Sequence, residues 1–267
     1  MLAKSVDGNR LVRLGLFLGV ALAGVGVFAR PASATAPPFR SLNLPANQFE
    51  LGLGAGVGHR GDPLNDNGLG VNLELGYGIS HNLELRFRTG LRFGVEARSM
   101  AADRYARPVE TETYDTGSET IANPELGLRF NLVHGATAEI ALDAKAYLPL
   151  SGRFGVMAGV PLALHLGNRL VLDTGVFIPV IFEENSTYTE ISIPMHLWIK
   201  SQGGVFFGPM TGVIFPNHGD TVVPFGVGVG TALSYDADVR FWVIADDIAN
   251  GHASSMWGGG VGLYINF

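Results

Sequence analysis

The most constraining feature of this sequence is an alternation of apolar residues with polar or small ones, which recurs from about residue 47 to the end. Its clearest instance is LELRFRTGLRFGVE, residues 83 to 96. There Leu85 and Phe87 fall on one side and Arg86 on the other. A period of two is the period of a β-strand, whose successive side chains point to opposite faces. The pattern therefore predicts an all-β protein.

The segments that alternate number about twelve and are roughly ten residues long, which is the length that a tilted strand needs to cross a membrane. Their connections alternate between short turns, such as residues 80 to 82, and longer polar links, of which residues 97 to 122 are the longest. Short turns at one end and long loops at the other are typical of transmembrane barrels. We predict a transmembrane antiparallel up-and-down β-barrel of about 12 strands over residues 47–267.

A soluble sandwich or barrel would show the same alternation with its apolar face inside. Three features favour lipid instead: the strand length, the glycines at alternate positions of the polar face, and the aromatic residues near strand ends. Glycine is costly on a strand exposed to water, and aromatic residues form girdles at both membrane interfaces. The predicted interface residues are Phe49, Phe93, Phe215, Phe225, Trp257 and Phe267.

The first 34 residues have the three-part plan of a secretory signal peptide. Basic residues precede an apolar run from residue 14 to residue 29, and Ala32-Ser33-Ala34 fits a cleavage site. Cleavage after residue 36 fits almost as well, and a retained anchor is the alternative. Residues 35–46 are then a short periplasmic N-terminal segment.

The last strand ends the chain on Phe267, with Val261, Leu263 and Ile265 on the same apolar face. It resembles the C-terminal strand of Gram-negative outer-membrane β-barrel proteins, a resemblance of class rather than of a specific family. The resemblance implies location in the bacterial outer membrane, in contact with lipid and lipopolysaccharide. It also implies that the barrel-assembly machinery reads these four residues as a targeting signal.

The predicted inward face divides into a charged arc and a glycine arc. Charged residues concentrate on the third to fifth strands, whereas the first, ninth, tenth and twelfth strands carry mostly glycine inward. Because the first and last strands meet when a barrel closes, the two arcs should oppose each other. The predicted lumen-lining residues are Glu74, Glu84, Arg86, Arg88, Arg92, Glu125, Arg129, Asp143, Lys145, His196 and Trp198.

Two interpretations of this lumen stay open. A charged wall that faces a smooth glycine wall would guide a polar solute, whereas long charged side chains could instead cross the lumen and fill it with ion pairs. Arg86, Arg88 and Arg92 suggest an anion ladder. Neighbouring glutamates favour a mixed network with weak selectivity. His196 and Trp198 could contact a solute or simply fill space.

We therefore expect a narrow pore or channel for small polar solutes, and the alternative is a non-conducting structural or adhesin-like barrel that acts through the loop at residues 97 to 122. A hydrolase at the rim is a third hypothesis, without a nucleophile motif such as GxSxG. Its candidate residues are His218, Asp220, Asp246, Asp247, His252, Ser254 and Ser255.

Other classes of function are disfavoured by composition. The chain has no cysteine, which excludes thiolate metal sites, and its net charge of −6 disfavours nucleic-acid binding. We expect no catalytic residue, no cofactor and no metal.

Overall fold

The computed structural model of the protein describes residues 41–60, 66–93, 121–149, 154–182, 187–201, 203–245, 247–250 and 256–267, without the side chains of Arg60, Asp66, Asn67, Arg92, Asn123 and Met256. The predicted signal peptide, nearly all of the loop at residues 97 to 122, and Asp246, His252, Ser254 and Ser255 lie outside these residues. In the part of the chain that is described, no helix has the length and hydropathy to cross a membrane.

The described residues form twelve strands that pair in chain order and close into one antiparallel barrel, with β1 against β12. The strands are β1 Phe49–Arg60, β2 Asp66–Gly78, β3 Leu83–Phe93, β4 Ile121–His134, β5 Ala138–Tyr147, β6 Gly155–Leu166, β7 Leu170–Phe182, β8 Thr187–Lys200, β9 Val205–Pro216, β10 Phe225–Ala232, β11 Ala237–Ala245 and β12 Met256–Asn266. The predicted fold class is confirmed.

Strand ends differ in places from the alternating runs of the sequence, two of which begin at Ile191 (ISIPMHLWIK) and at Val222 (VVPFGVGVGTAL). β8 begins at Thr187 rather than at Ile191, and β10 begins at Phe225 rather than near Val222. Pro224 has no N–H to give to a ladder, which weakens pairing at that point, although β6 to β9 do continue through prolines of their own. Val222 forms an isolated bridge with Ile214 instead.

The exposure of the two faces of each strand shows whether the apolar residues pack in a core or face lipid. Leu53 and Val227 are 46% and 55% exposed, whereas Glu84 and Arg129 are 0% and 1% exposed. A soluble barrel would show the reverse, because it would bury its apolar face. An apolar band on the outside of a closed barrel is the arrangement that a bilayer requires. The soluble alternative is therefore wrong.

The two ends of the barrel differ in their connections. At the short-turn end the strands are joined by residues 79–82, 135–137, 167–169 and 233–236, among others. All six predicted interface aromatics are exposed. Phe49 and Phe267 lie at the short-turn end, where their ring centroids are 6.2 Å apart. The other four lie at the opposite end of the barrel: Phe93, Phe215, Phe225 and Trp257. Phe154 and Phe182 stack there too, at 5.8 Å, a pair that the sequence analysis did not select. The interface role of these residues stays a prediction.

Candidate functional site

The charged wall of the lumen is built by strand register. Glu74 of β2 lies opposite Arg88 of β3, and Arg88 lies opposite Glu125 of β4. Residues that are directly opposite on neighbouring strands place their side chains on the same face. The ladder therefore brings together a carboxylate, a guanidinium and a second carboxylate in one row across the inner wall.

Distances show that this row is a mixed network. Arg88 lies 3.8 Å from Glu74 and 3.5 Å from Glu125 through its Nε and Nη1 atoms respectively. The Lys145 ammonium lies 3.8 Å from Glu125, and Arg86 Nε donates to Glu84 at 2.6 Å. Carboxylates therefore interleave with the predicted arginine ladder. The Arg92 backbone continues it opposite Gly70, while its side chain lies outside the described set.

A small cavity of about 30 Å³ lies against this wall. Three carboxylates and three cations contribute to its lining, from β1 to β5: Glu50, Glu74, Arg86, Arg88, Glu125 and Lys145. Its volume is close to the space of one water molecule and well below the roughly 300–1,000 Å³ of pockets that take small molecules. Five of these six residues are among the predicted lumen-lining residues, and Glu50 was missed because its strand is otherwise rich in glycine.

Three other predicted lining residues, Glu84, Arg129 and Asp143, lie nearer the short-turn end and are buried. Arg129 donates from Nε and Nη2 to both carboxylate oxygens of Asp143, at 2.5 and 2.6 Å. A bidentate pair of this kind is rigid and well satisfied. These residues therefore belong to the packed part of the wall nearer the short-turn end, and they do not line the cavity.

The opposite wall is packed with large side chains. His196 and Trp198 point inward as predicted and are buried, on β8. The Trp198 ring contacts Phe206 edge-on, with centroids 5.6 Å apart. Trp198 belongs to an apolar cluster that also contains Val171, Phe206, Met210, Trp242 and Ile244. Here the residues that could have contacted a solute fill space instead.

The glycines of β10 explain how this cluster fits. A Cβ atom at Gly228 would lie 2.7 Å from the Trp198 ring, and one at Gly230 would clash with Phe206. Glycine makes room for the rings of neighbouring strands because it has no side chain of its own. At β10, therefore, the predicted smooth glycine wall is wrong, since aromatic side chains cover Gly228 and Gly230.

Sequence reasoning missed one buried cation on this side. Arg240 of β11 is 1% exposed, lies 2.7 Å from Asp238 and sits 4.3 Å above the Tyr264 ring. The signal was available, because Asp238, Arg240 and Trp242 occupy alternate positions of one strand. It is a weak signal, because charged residues are far denser on the third to fifth strands.

Of the candidate residues for a hydrolase at the rim, the structure describes His218, Asp220 and Asp247, and Asp247 links two loops. His218 and Asp220 are exposed, whereas Asp247 accepts hydrogen bonds from the backbone N–H groups of Val223 and Ala249 and from the Asn250 side chain. Partial burial opposes ionisation of Asp247, but these bonds outweigh it and lower its pKa. A carboxylate held in this way ties the loop after β9 to the loop after β11.

Comparison with known proteins adds the class of fold. No family model matches the chain, and no curated protein sequence does. An outer membrane channel from Pseudomonas putida F1 superposes with a TM-score of 0.60 at 11% identity, covering 84% of this chain and 97% of that one. The fold is that of an outer-membrane β-barrel. This confirms the resemblance seen in the last strand.

Two porins superpose on the same outer-membrane barrel fold. The NanC porin gives a TM-score of 0.56 at 8% identity, covering 80% of this chain and 98% of its own. The KdgM porin, in complex with disordered oligogalacturonate, gives 0.55 at 7% identity, covering 82% and 99%. At these identities the similarity extends to the fold alone.

Proposed function

We propose that this outer-membrane barrel is a narrow channel for small polar solutes, and that the charged cavity is its selective region. The observation that carries the proposal is the charged inner wall, where three carboxylates and three cations surround a narrow opening inside the barrel. A purely structural barrel gains little from so many charges inside it, because desolvated charges are costly. In a channel the same charges serve a purpose, since they give a polar solute partners along its path.

The balance of charge in the cavity sets the class of solute. Positive and negative side chains line it in equal number and lie within 4 Å of one another in several pairs. A wall of this kind attracts neither anions nor cations strongly. It offers hydrogen-bond donors and acceptors to a neutral polar or zwitterionic molecule. Contacts with such a molecule can replace the ion pairs within the wall at little cost in free energy. Weak ion selectivity follows.

The similar structures support a channel over an adhesin, because the matching barrels are described as a channel and as porins. The oligogalacturonate is the ligand of the KdgM porin, and our proposal names no sugar. For the adhesin-like alternative, no contact of the described residues speaks in its favour.

Single-channel recording of the mature protein in a planar bilayer tests the proposal. We expect small current steps, because packed side chains occupy much of the lumen. Folding is checked beforehand on the same sample by the heat-dependent gel mobility of the barrel. Silence from folded protein, both whole and without residues 35 to 44, contradicts a channel and favours a role for the loops.

Export and assembly belong to the same proposal. We expect the signal peptide to be removed, so that N-terminal sequencing of the protein from outer-membrane fractions begins at residue 35 or 37. Recognition of Val261, Leu263, Ile265 and Phe267 by the barrel-assembly machinery predicts that deleting Phe267 lowers the assembled amount. An unchanged yield would contradict that role.

A further inference from the structure

The segment that precedes β1 lies inside the barrel at its short-turn end. Leu42, Asn43 and Leu44 are 0%, 2% and 1% exposed. Such burial is unusual so close to the start of an exported chain, where terminal segments are normally loose unless something ties them down. Side chains of the lumen wall hold this segment in place.

Charged side chains of the wall bind the main chain of this segment. Glu139 accepts a hydrogen bond from Leu42 N at 2.9 Å, and Glu84 accepts one from Leu44 N at 2.8 Å. Arg129 Nη1 donates to the carbonyl oxygen of Leu42 at 3.1 Å. Hydrogen bonds to ionised groups are about twice as strong as neutral ones. Three buried charges on β3, β4 and β5 therefore recognise consecutive peptide groups.

Small residues of the wall receive the side chains of the segment. Leu42 packs in a buried cluster with Ala141 and Ala163, and the Leu44 side chain lies 2.9 Å from where a Cβ atom at Gly76 would stand. Asn43, between the two leucines, donates from Nδ2 to the carbonyl oxygen of Asn82 at 3.0 Å. Bound backbone with alternate side chains in pockets is how proteins recognise extended peptides.

A turn tethers the segment to the barrel. Gln48 N donates to Pro45 O at 3.2 Å, and Asn47 adopts a φ of 63°, a left-handed conformation that asparagine tolerates better than most residues. Asn47 N then bonds Gly78 O of β2 at 2.7 Å, so the chain reverses directly into β1. The segment is held over its site at the high effective concentration of a short tether, on the order of millimolar.

We propose that the inner wall of β2 to β6 forms a binding site for an extended peptide, and that Ser41–Leu44 occupies it as a tethered plug at the periplasmic end of the channel. The gating role rests on the proposed function, whereas the peptide site does not. Because the plug is held by side chains and not by strand pairing, it can leave without opening the barrel.

The first experiment compares channel recordings of four chains. One is the wild type, one begins at Pro45 after export, and one carries Glu84→Gln with Glu139→Gln. The matched control is Glu190→Gln, since Glu190 is an equally buried lumen carboxylate that accepts from Tyr188 at 2.7 Å on the long-loop half of β8. We expect the double variant to raise the open-to-closed ratio by roughly tenfold or more, because it weakens two charge-assisted bonds.

The shortened chain should then stay open throughout, and the control should behave as wild type. Equal open-to-closed ratios in the wild type, the double variant and the shortened chain would overturn the plug.

The second experiment returns the plug as a free peptide. An acetylated peptide with the sequence SLNLPA, residues 41 to 46, is added to the periplasmic side of the shortened chain. We expect it to block current at roughly millimolar concentration, the effective concentration that the tether supplies. The scrambled peptide LASPNL has the same composition and should not block. Equal block by both peptides, or by neither, counts against a specific site.

The third experiment needs no current, so it separates failure of the site from failure of the channel. Fluorescently labelled SLNLPA is titrated onto folded protein in detergent and followed by anisotropy. The shortened chain should bind it, and the same chain with Glu84→Gln and Glu139→Gln should bind it at least tenfold more weakly. Folded shortened chain that does not bind the peptide overturns the site, even if the barrel conducts.

A full-length measurement covers the case in which the shortened chain does not fold. The protein contains no cysteine, so Leu44→Cys introduces a single thiol. We expect a thiol reagent to label it at least several times faster when Glu84→Gln and Glu139→Gln are also present. Equal labelling rates would contradict a releasable plug.

Discussion

The charged side of the lumen, on β2 to β5, and the aromatic side, on β8 to β11, come from strands with the same two-residue alternation. They are held together in different ways. On the charged side cations are held by ion pairs, and the bidentate bonds from Arg129 to Asp143 are the most strongly directed of them. On the aromatic side Trp198 and Phe206 are fixed by shape, because they lie over glycines that leave room for them.

This difference predicts how each side fails. A buried ion pair is sensitive to the loss of one partner, since the remaining charge keeps its desolvation cost. A close-packed aromatic cluster is sensitive to added volume, since no neighbour can move away. The charged side tolerates free space, and the cavity lies there. The aromatic side does not.

The largest loss of stability should come from removing one partner of the buried ion pair between Arg129 and Asp143. Arg129→Met leaves Asp143 buried without its guanidinium and should cost about 3–5 kcal/mol of folding free energy. The double variant Arg129→Met with Asp143→Leu removes both charges and should lie close to the wild type. Urea titration of the protein in lipid vesicles measures both. Equal losses in the single and double variants would show that the pair is not the source of the effect.

A smaller loss should follow from filling the aromatic side. Gly228→Leu places a side chain where the Trp198 ring stands, and overpacking of this kind costs about 1–3 kcal/mol. Trp198→Ala in the same chain should recover part of that loss. Val227→Leu, the neighbouring outward position, should change stability by less than about 0.5 kcal/mol. The comparison fails if the inward and outward substitutions cost the same in urea titrations.

Much of this architecture can be predicted because alternation determines which face of a strand a residue occupies. The closed barrel, the inward direction of Arg88 and Glu125, and the burial of Trp198 all follow from it. Alternation does not determine what lies across the lumen. The covering of Gly228 by Trp198 depends on how far a side chain reaches between neighbouring strands, which no periodicity contains.

The position of the plug could not be predicted from alternation either, for a different physical reason. Residues 35–46 were predicted only as a short periplasmic segment, since four or five residues are too few to show a period. What places Ser41–Leu44 inside the barrel is its set of partners, Glu84, Arg129 and Glu139, which come from distant parts of the sequence. Interactions of that kind become visible only in the folded protein.

The ionic behaviour of the channel should depend on the charged side alone. Replacing Arg86, Arg88 and Arg92 with alanine should shift the reversal potential in a salt gradient towards cation preference, because Glu74 and Glu125 lose the guanidinium of Arg88. A unit charge at 4 Å in water is worth about 1 kcal/mol, or roughly fivefold in ion occupancy. Trp242→Phe on the aromatic side is the control and should leave the potential unchanged. An unchanged potential in the arginine variant would remove these residues from the lining.

The smallest effect should appear outside both sides, at the loops that Asp247 joins. Because its pKa is lowered from the ordinary value of 3.8, Asp247 stabilises the closed loops above that pH, and the contribution is lost as the pH falls through the lowered pKa. Asp247→Asn should therefore speed hydrogen exchange at the Val223 and Ala249 amides roughly fivefold at neutral pH, the effect of about one hydrogen bond.

Acidification below pH 3.8 should produce the same loosening in the wild type but not in the Asp247→Asn variant, once exchange rates are corrected for their intrinsic dependence on pH. Amides on β3 and β4, on the charged side, serve as the internal reference because they lie far from these loops. Loosening of both regions together would mean that acid acts on the whole barrel and that Asp247 does not control the loops. Loosening confined to the loops would show that the rim opens independently of the lumen.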